Sequence, residues 1–192
     1  MQELSLNVMD IAQNSIVAGA SLTVIEVRES LPRDELSISV IDNGKGMSPE
    51  QVEHVIDPFF TTRTTRSVGL GVPLFKMQAE LTGGSFRIDS ELGKGTTLTA
   101  VFKPSSVDMI PLGDMDSTIQ LLISSNPDRD FIYTRSYEDE AGQTREFSLK
   151  TQELREVLGE EVSLSQPDVV MWIKEYLAEQ TGELLHPSSS DE

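Results

Sequence analysis

Two short hairpins limit the folds open to this chain more than any other feature. Segments rich in Val, Ile, Thr and Ser flank turn-forming residues at 30–34 and again at 92–95. The strands predicted from these segments span 22–29, 35–42, 85–90 and 96–103. Because short hairpins join antiparallel neighbours, the pattern favours a layered antiparallel sheet over a parallel, doubly wound fold.

Helices are predicted before and between these hairpins. Apolar residues within 4–18 recur at spacings that describe one helix face. Ser48 and Gln51 have the spacing of a capping box, so a second helix is predicted from there to about residue 56. A third is predicted over 71–81. The order of helix, two strands, two helices and two strands predicts an α+β domain with its helices on one face of the sheet.

A change of charge divides the sequence. Residues 1–104 carry 9 basic and 13 acidic side chains, whereas residues 105–192 carry 6 and 19. We therefore predict a domain at 1–104 followed by a linker at 105–113, a small acidic α+β unit at 114–186 and a disordered tail at 187–192. In the small unit, elements are predicted at about 115–123, 131–137, 145–149, 151–158 and 168–180.

The overall composition excludes several classes of function. A formal net charge of −17 repels nucleic acids and anionic lipid surfaces. No apolar run approaches the roughly 20 residues of a membrane-spanning helix, and no secretory signal opens the chain. The absence of cysteine rules out disulfides and thiolate metal sites. We expect a cytoplasmic protein that binds neither nucleic acid nor membranes.

Three polar motifs could carry chemistry, and each has a simpler structural explanation when taken alone. Asp10 and Asn14 lie one turn apart on the first predicted helix, which suits either a Mg²⁺ ligand or an ordinary solvated surface. The run 42–47, Asp-Asn-Gly-Lys-Gly-Met, fits a ligand-binding loop or a plain turn. The run 69–71, Gly-Leu-Gly, precedes a helix whose N-terminus could hold phosphate.

Taken in order, with Pro58 to Arg63 and Gly95-Thr96-Thr97 added, these motifs resemble the histidine-kinase-type ATPase superfamily. That superfamily, also called GHKL, includes catalytic domains of sensor histidine kinases, anti-sigma serine kinases, gyrase and mismatch-repair ATPases. The resemblance covers about residues 1–104 and implies a two-layer α/β sandwich of the Bergerat type that binds ATP and Mg²⁺ under a flexible lid.

The resemblance also implies roles for individual residues. Asn14 matches the Mg²⁺ ligand, and Asp10 stands where many members keep a glutamate as the general base. Asp42 matches the acid that accepts a hydrogen bond from the adenine amino group. The other residues expected to contact the nucleotide are Gly44, Gly46, Met47, Thr62, Arg63, Gly69, Leu70, Gly71 and Thr97. Of these, Thr97 would support the adenine end, Gly69 and Gly71 the phosphates, and Arg63 or its neighbour Arg66 the γ-phosphate.

The expected function is phosphorylation or regulation of a protein partner by an Mg-ATP-binding protein. The first helix begins at about residue 4, so we expect no phosphoacceptor helix before the domain. An ATP-hydrolysing switch and a non-catalytic adenine-nucleotide sensor remain open alternatives. The resemblance also allows a homodimer through the first helix. Trp172 in the acidic unit is a candidate anchor for the partner, although core packing would explain the same apolar spacing.

Overall fold

The computed structural model describes residues 2–59 and 70–188 of the 192-residue chain. Its helices are α1 (Leu4–Val17), α2 (Pro49–Ile56), α3 (Gly71–Leu81), α4 (Met115–Ser125), α5 (Thr151–Leu158) and α6 (Pro167–Leu185). Its strands are β1 (Leu22–Ser30), β2 (Glu35–Asp42), β3 (Ser85–Glu91), β4 (Gly95–Phe102), β5 (Asp130–Glu138) and β6 (Thr144–Lys150).

The strands form one sheet in the order β3-β4-β2-β1-β5-β6. Both predicted hairpins are antiparallel, as is the pair β5–β6. Among the described residues one pair is parallel: β1 pairs with β5, with Leu22 opposite Asp130 and Ser30 opposite Glu138. The predicted α+β fold with a layer of helices on a sheet is confirmed.

The helices follow the strand order across the covered face. α3 lies over β3 and β4, α1 over β1 and β2, α4 over β5, and α6 over β5 and β6. Leu36, Ile38 and Val40 of β2 are at most 3% exposed, because every second residue of a strand points towards this layer. The core is therefore a continuous apolar layer between helices and sheet.

The C-terminal region is joined to this same sheet. Its hairpin β5–β6 extends the sheet beyond β1, and α4 packs against α1. A separate small unit was expected at 114–186 because charge and composition change there, and neither property reports long-range strand pairing. The domain boundaries themselves remain predictions.

The predicted linker is held against the N-terminal helix. The carbonyls of Pro111 and Leu112 accept hydrogen bonds from the N–H groups of Leu4 and Ser5, at 3.0 and 2.8 Å. These N–H groups lie in the first turn of α1, which no side chain of the described residues caps. Backbone from 105–113 therefore caps the helix that carries Asp10 and Asn14.

The start of α2 and the end of α6 are each explained by the residues located there. At α2, Ser48 Oγ accepts from the Gln51 N–H and Gln51 Oε1 accepts from the Ser48 N–H, which confirms the predicted capping box. The helix predicted to end near residue 180 continues to Leu185, because Leu184 is buried in the core at 3% exposure. None of the helices in the described residues is long and apolar enough to span a bilayer.

Candidate nucleotide-binding site

Asp42 lies at the end of β2, on the helix-covered face of the sheet. Its Oδ2 accepts a hydrogen bond from Ser15 Oγ at 2.7 Å, and its Oδ1 accepts from the Gly44 N–H at 2.8 Å. These two bonds fix the carboxylate between α1 and the loop that follows β2. A carboxylate offers about four lone-pair positions, so half-buried Asp42 retains capacity for a further donor.

Hydroxyl side chains flank Asp42 on the neighbouring strands. Thr96 of β4 and Thr23 of β1 lie directly opposite Asp42, and Ser90 of β3 lies opposite Thr96. The hydroxyls of Ser90 and Thr96 are 2.8 Å apart. The covered face thus ends in a row of polar groups centred on one carboxylate.

Thr97 lies on the other face of the sheet. It pairs with Ile41, and successive residues of a strand point to opposite faces. The expectation that Thr97 supports the adenine end therefore needs correction, because Thr96 is the residue that shares a face with Asp42. Leu98, Ala100 and Phe102 are buried and alternate along β4. The same alternation in the sequence places Thr96, and not Thr97, on the covered face.

Ser15 is the site residue that the sequence analysis missed. It is 3% exposed and lies on the same side of α1 as the apolar residues Leu4, Val8 and Ile11. A polar side chain in such a stripe requires a partner, since burying an unpaired hydroxyl is costly. A hydroxyl within the apolar stripe of α1 was therefore the signal in the sequence for a buried polar partner. That partner is Asp42.

The loop after β2 is held between α1 and the β3–β4 turn. The Lys45 N–H donates to the Ala18 carbonyl at 2.9 Å, and the Gly93 N–H donates to the Lys45 carbonyl at 2.8 Å. The Met47 N–H donates to Ser90 Oγ at 2.8 Å. A rigid loop of this kind holds its backbone close to whatever occupies the space beside Asp42.

Two glycines make this close packing feasible. A Cβ at Gly44 would lie 2.9 Å from the Ala18 carbonyl oxygen. Gly46 has a φ of +66°, and a Cβ there would overlap the carbonyl of Glu91. Glycine is required at these predicted site positions by packing within the protein.

Asp10 meets the start of α3. A Cβ added to Gly71 would lie 2.7 Å from the Asp10 Cβ, so the carboxylate stands beside the N-terminus of that helix. Among the described residues no side chain caps α3, and Leu70 at its N-cap position is 47% exposed. Its first N–H groups therefore remain suited to an anion. Asn14 is half-buried one turn after exposed Asp10 on α1.

This arrangement of α1, the β2 end and the α3 N-terminus agrees with a match to a family model. The model of the histidine kinase-, DNA gyrase B- and HSP90-like ATPases matches residues 1–106. The chain belongs to this ATPase family.

Several sensor kinases resemble this ATPase-family chain over roughly half of its length. Sensor histidine kinase ZraS of Escherichia coli is 36% identical over 86 residues, covering 45% of this chain and 18% of that protein. Sporulation kinase D of Bacillus subtilis is 32% identical over 106 residues, covering 55% of this chain and 20% of that protein. Sensor protein SrrB of Staphylococcus aureus is 36% identical over 102 residues, covering 50% of this chain and 17% of that protein. The chain spans about a fifth of the length of these relatives.

A solved structure extends the likeness in fold. The N-terminal domain of a DNA repair protein superposes with a TM-score of 0.54 at 16% identity, covering 78% of this chain and 53% of that one. That share exceeds the residues matched by the ATPase family model, so part of the region after residue 106 has a counterpart in that fold.

Some predicted contacts of the ATPase site lie outside the described residues. These are Thr62, Arg63 and Gly69, together with Arg66, the alternative to Arg63. They remain predictions.

Proposed function

We propose that residues 1–106 bind Mg-ATP in the crevice between α1, the end of β2 and the start of α3, and that the nucleotide serves to phosphorylate or regulate a protein partner. The observation that supports this best is the fixed carboxylate of Asp42, held by Ser15 and Gly44 with lone pairs to spare. A carboxylate accepts from the exocyclic amino group of adenine, whereas guanine presents an oxygen there.

The other end of the crevice suits phosphates and their metal ion. ATP would supply the transferable phosphoryl group, and Mg²⁺ would neutralise charge on the phosphates. The N–H groups of Gly71 and Val72 in the first turn of α3 would donate to phosphate oxygens. Asn14 would supply a protein oxygen to Mg²⁺, which commonly takes its other ligands from water and phosphates. The described residues contain no group of three or more His, Asp or Glu side chains that could hold a metal ion without water or phosphate ligands.

Asp10 is the proposed base. It would orient the attacking hydroxyl of the partner and accept its proton as the bond from the γ-phosphorus to the leaving ADP oxygen breaks. Similarity to sensor histidine kinases supports the kinase alternative. If water attacks instead, the protein is an ATP-hydrolysing switch, and if neither attacks, it is a nucleotide sensor.

We expect Asp42→Asn to weaken ATP binding by about ten- to a hundredfold, because a hydrogen bond to a charged acceptor contributes about 1.5 to 3 kcal/mol. Calorimetric titration with a non-hydrolysable ATP analogue and Mg²⁺ measures this. Asp89→Asn is the matched control, since Asp89 lies on β3 in an exposed pair with Arg87. Equal affinities of the two variants would remove Asp42 from the adenine site.

We expect Asp10→Asn to retain ATP binding and to lose about a hundredfold or more in turnover, the usual contribution of a general base. The assay follows γ-labelled ATP in a soluble extract of the native host. Label on a host protein that disappears with Asp10→Asn identifies a kinase, and label released only as phosphate identifies an ATPase switch. Wild-type protein that binds ATP and moves no label is a sensor.

A further inference from the structure

The outer edge of β6 is open. In the described residues β6 pairs only with β5, so half of its backbone N–H and C=O groups face away from the sheet. Helix α6 lies alongside in the opposite direction, because Arg145 Nε donates to the Leu184 carbonyl at 2.9 Å and the Tyr176 hydroxyl reaches the Ser148 carbonyl at 3.4 Å. The helix thus forms one wall beside an unpaired strand.

A cleft opens where the start of β6 meets the end of α6. Its volume is about 240 Å³, which is enough for one long side chain. Its lining includes the apolar residues Phe147, Leu184 and Pro187 and the acidic residues Glu146 and Glu183. Glu183 belongs to α6, whereas the side chain of Glu146 lies on the other face of the sheet, because it alternates with those of Arg145 and Phe147 along β6. This combination suits a side chain with an aliphatic stem and a positively charged end.

Arg145 does not neutralise the acidic residues at this end of β6. The guanidinium of Arg145 is already engaged, since it donates to Asp139 Oδ2 at 3.2 Å as well as to the Leu184 carbonyl. Within the described chain the side chain of Glu146 forms no hydrogen bond or ion pair, and only its backbone is paired, with Ser136 of β5. Glu183 accepts from the Ser188 hydroxyl at 2.6 Å, which lowers the pKa of its carboxyl and keeps it ionised. In the described chain two carboxylates, Glu183 on the helix-covered side and Glu146 on the other face, therefore flank the start of β6 without a cation of their own.

The surrounding surface selects against other occupants. Residues 151–185 contain eight acidic and two basic side chains, and one of the two, Arg155, is bound to Asp130. A second copy of this chain would place acid against acid, and nucleic acid would be repelled. The negative charge of this surface therefore favours a basic partner.

An aromatic pair stands further along the same helix. Trp172 stacks on Tyr176 with ring centroids 5.0 Å apart, and Trp172 is 46% exposed. Since Tyr176 contacts Ser148 of β6, the pair lies next to the strand edge. It offers an apolar platform to a chain that runs along β6.

We propose that the outer edge of β6 binds an extended basic segment of a protein partner. The segment would pair with β6 through its backbone and place a lysine or arginine on the helix-covered face beside Glu183, while Glu146 adds negative charge on the other face of the same strand. The role of this partner rests on the proposed function, but the binding itself needs no nucleotide. Failure of the peptide test would leave ATP binding untouched, and failure of ATP binding would leave this surface untouched.

The test uses the full chain and a blocked peptide in which lysine alternates with valine. Its binding is followed through the fluorescence of Trp172, the only tryptophan in the sequence. We expect saturable binding, and slowed hydrogen exchange at the outward-facing amides of residues 144–150. The matching glutamate–valine peptide should not bind.

Two variants with the same change in charge separate a defined site from general attraction. Glu146→Lys with Glu183→Lys should weaken peptide binding at least tenfold. Glu50→Lys with Glu53→Lys, on exposed positions of α2 beside the opposite edge strand, should leave it within twofold. Glu146→Lys alone serves as the variant that breaks no side-chain hydrogen bond or ion pair of the described residues, and it should already weaken binding severalfold. Equal losses in both double variants, unchanged amide exchange in β6, or no binding of the lysine peptide would overturn the proposal.

Discussion

Replacing Gly46 by alanine is expected to abolish ATP binding and to lower the free energy of unfolding by roughly 2 to 5 kcal/mol. Gly46 has a φ of +66°, where an L side chain is strained, and a Cβ there would overlap the carbonyl of Glu91. Because the loop is bonded to Ala18 on one side and Gly93 on the other, it cannot move without disturbing its neighbours. Relief of the overlap would displace the loop from Asp42. Urea unfolding and ATP titration measure the two losses.

Gly93→Ala is the matched control for this substitution. Gly93 lies in the turn that contacts the same loop and also has a positive φ, +79°, but a Cβ there would meet nothing within 4 Å. We expect a loss of only about 1 kcal/mol, the usual cost of the left-handed conformation, with ATP binding retained. Equal losses at both positions would mean that backbone conformation alone, and not the close approach to Glu91, makes glycine necessary at position 46.

Local patterns were enough to predict most of the elements that form the site. The strand that ends at Asp42, the helix that begins at Gly71 and the capping box of Ser48 all depend on residues close together in sequence. Strand alternation was also available, and applying it to β4 would have selected Thr96 over Thr97. The order of residues in a motif does not by itself show which face of the sheet each residue occupies.

Long-range contacts could not be predicted in this way. The parallel pairing of β1 with β5 joins residues more than 100 positions apart, and no local pattern in either strand specifies the other as its partner. The bond from Ser15 to Asp42 likewise spans 27 residues. The sequence could show that Ser15 needed a partner, but the fold decides which carboxylate it meets.

The pairing of β1 with β5 also buries a charge. Arg135 of β5 is 9% exposed beneath α4 and α6. Its Nη1 donates to Thr181 Oγ1 at 3.5 Å, and the Thr181 hydroxyl donates to Asp116 Oδ1 at 2.9 Å. Glu29 of β1 is also drawn to Arg135, while buried Tyr133 stays neutral because desolvation raises the pKa of its phenol. Arg135 thus attracts two acidic side chains, Glu29 on β1 and Asp116 on α4.

We expect Arg135→Met to lower the free energy of unfolding by about 3 kcal/mol at pH 7.5. Without Arg135 the partly buried carboxylates of Glu29 and Asp116 lose its attraction, and the cost is at the low end of that for breaking a buried ion pair, because neither acid forms a direct ion pair with Arg135 in the described residues. Urea unfolding measures the loss. Arg28→Met on β1 removes the same charge from an exposed pair with Glu26, and it should change the stability by less than about 1 kcal/mol.

The loss caused by Arg135→Met should shrink as the pH falls towards 5. Burial raises the pKa of the Glu29 and Asp116 carboxyls, and attraction to Arg135 offsets part of that rise. A carboxyl whose pKa is raised by folding contributes stability that is complete below its unfolded pKa, near 4, and is lost as the pH rises through the folded value. Without Arg135 both folded values rise further, so the variant regains stability on acidification. If its deficit against wild type is the same at pH 5 and pH 7.5, Arg135 stabilises the fold through packing and not through its charge.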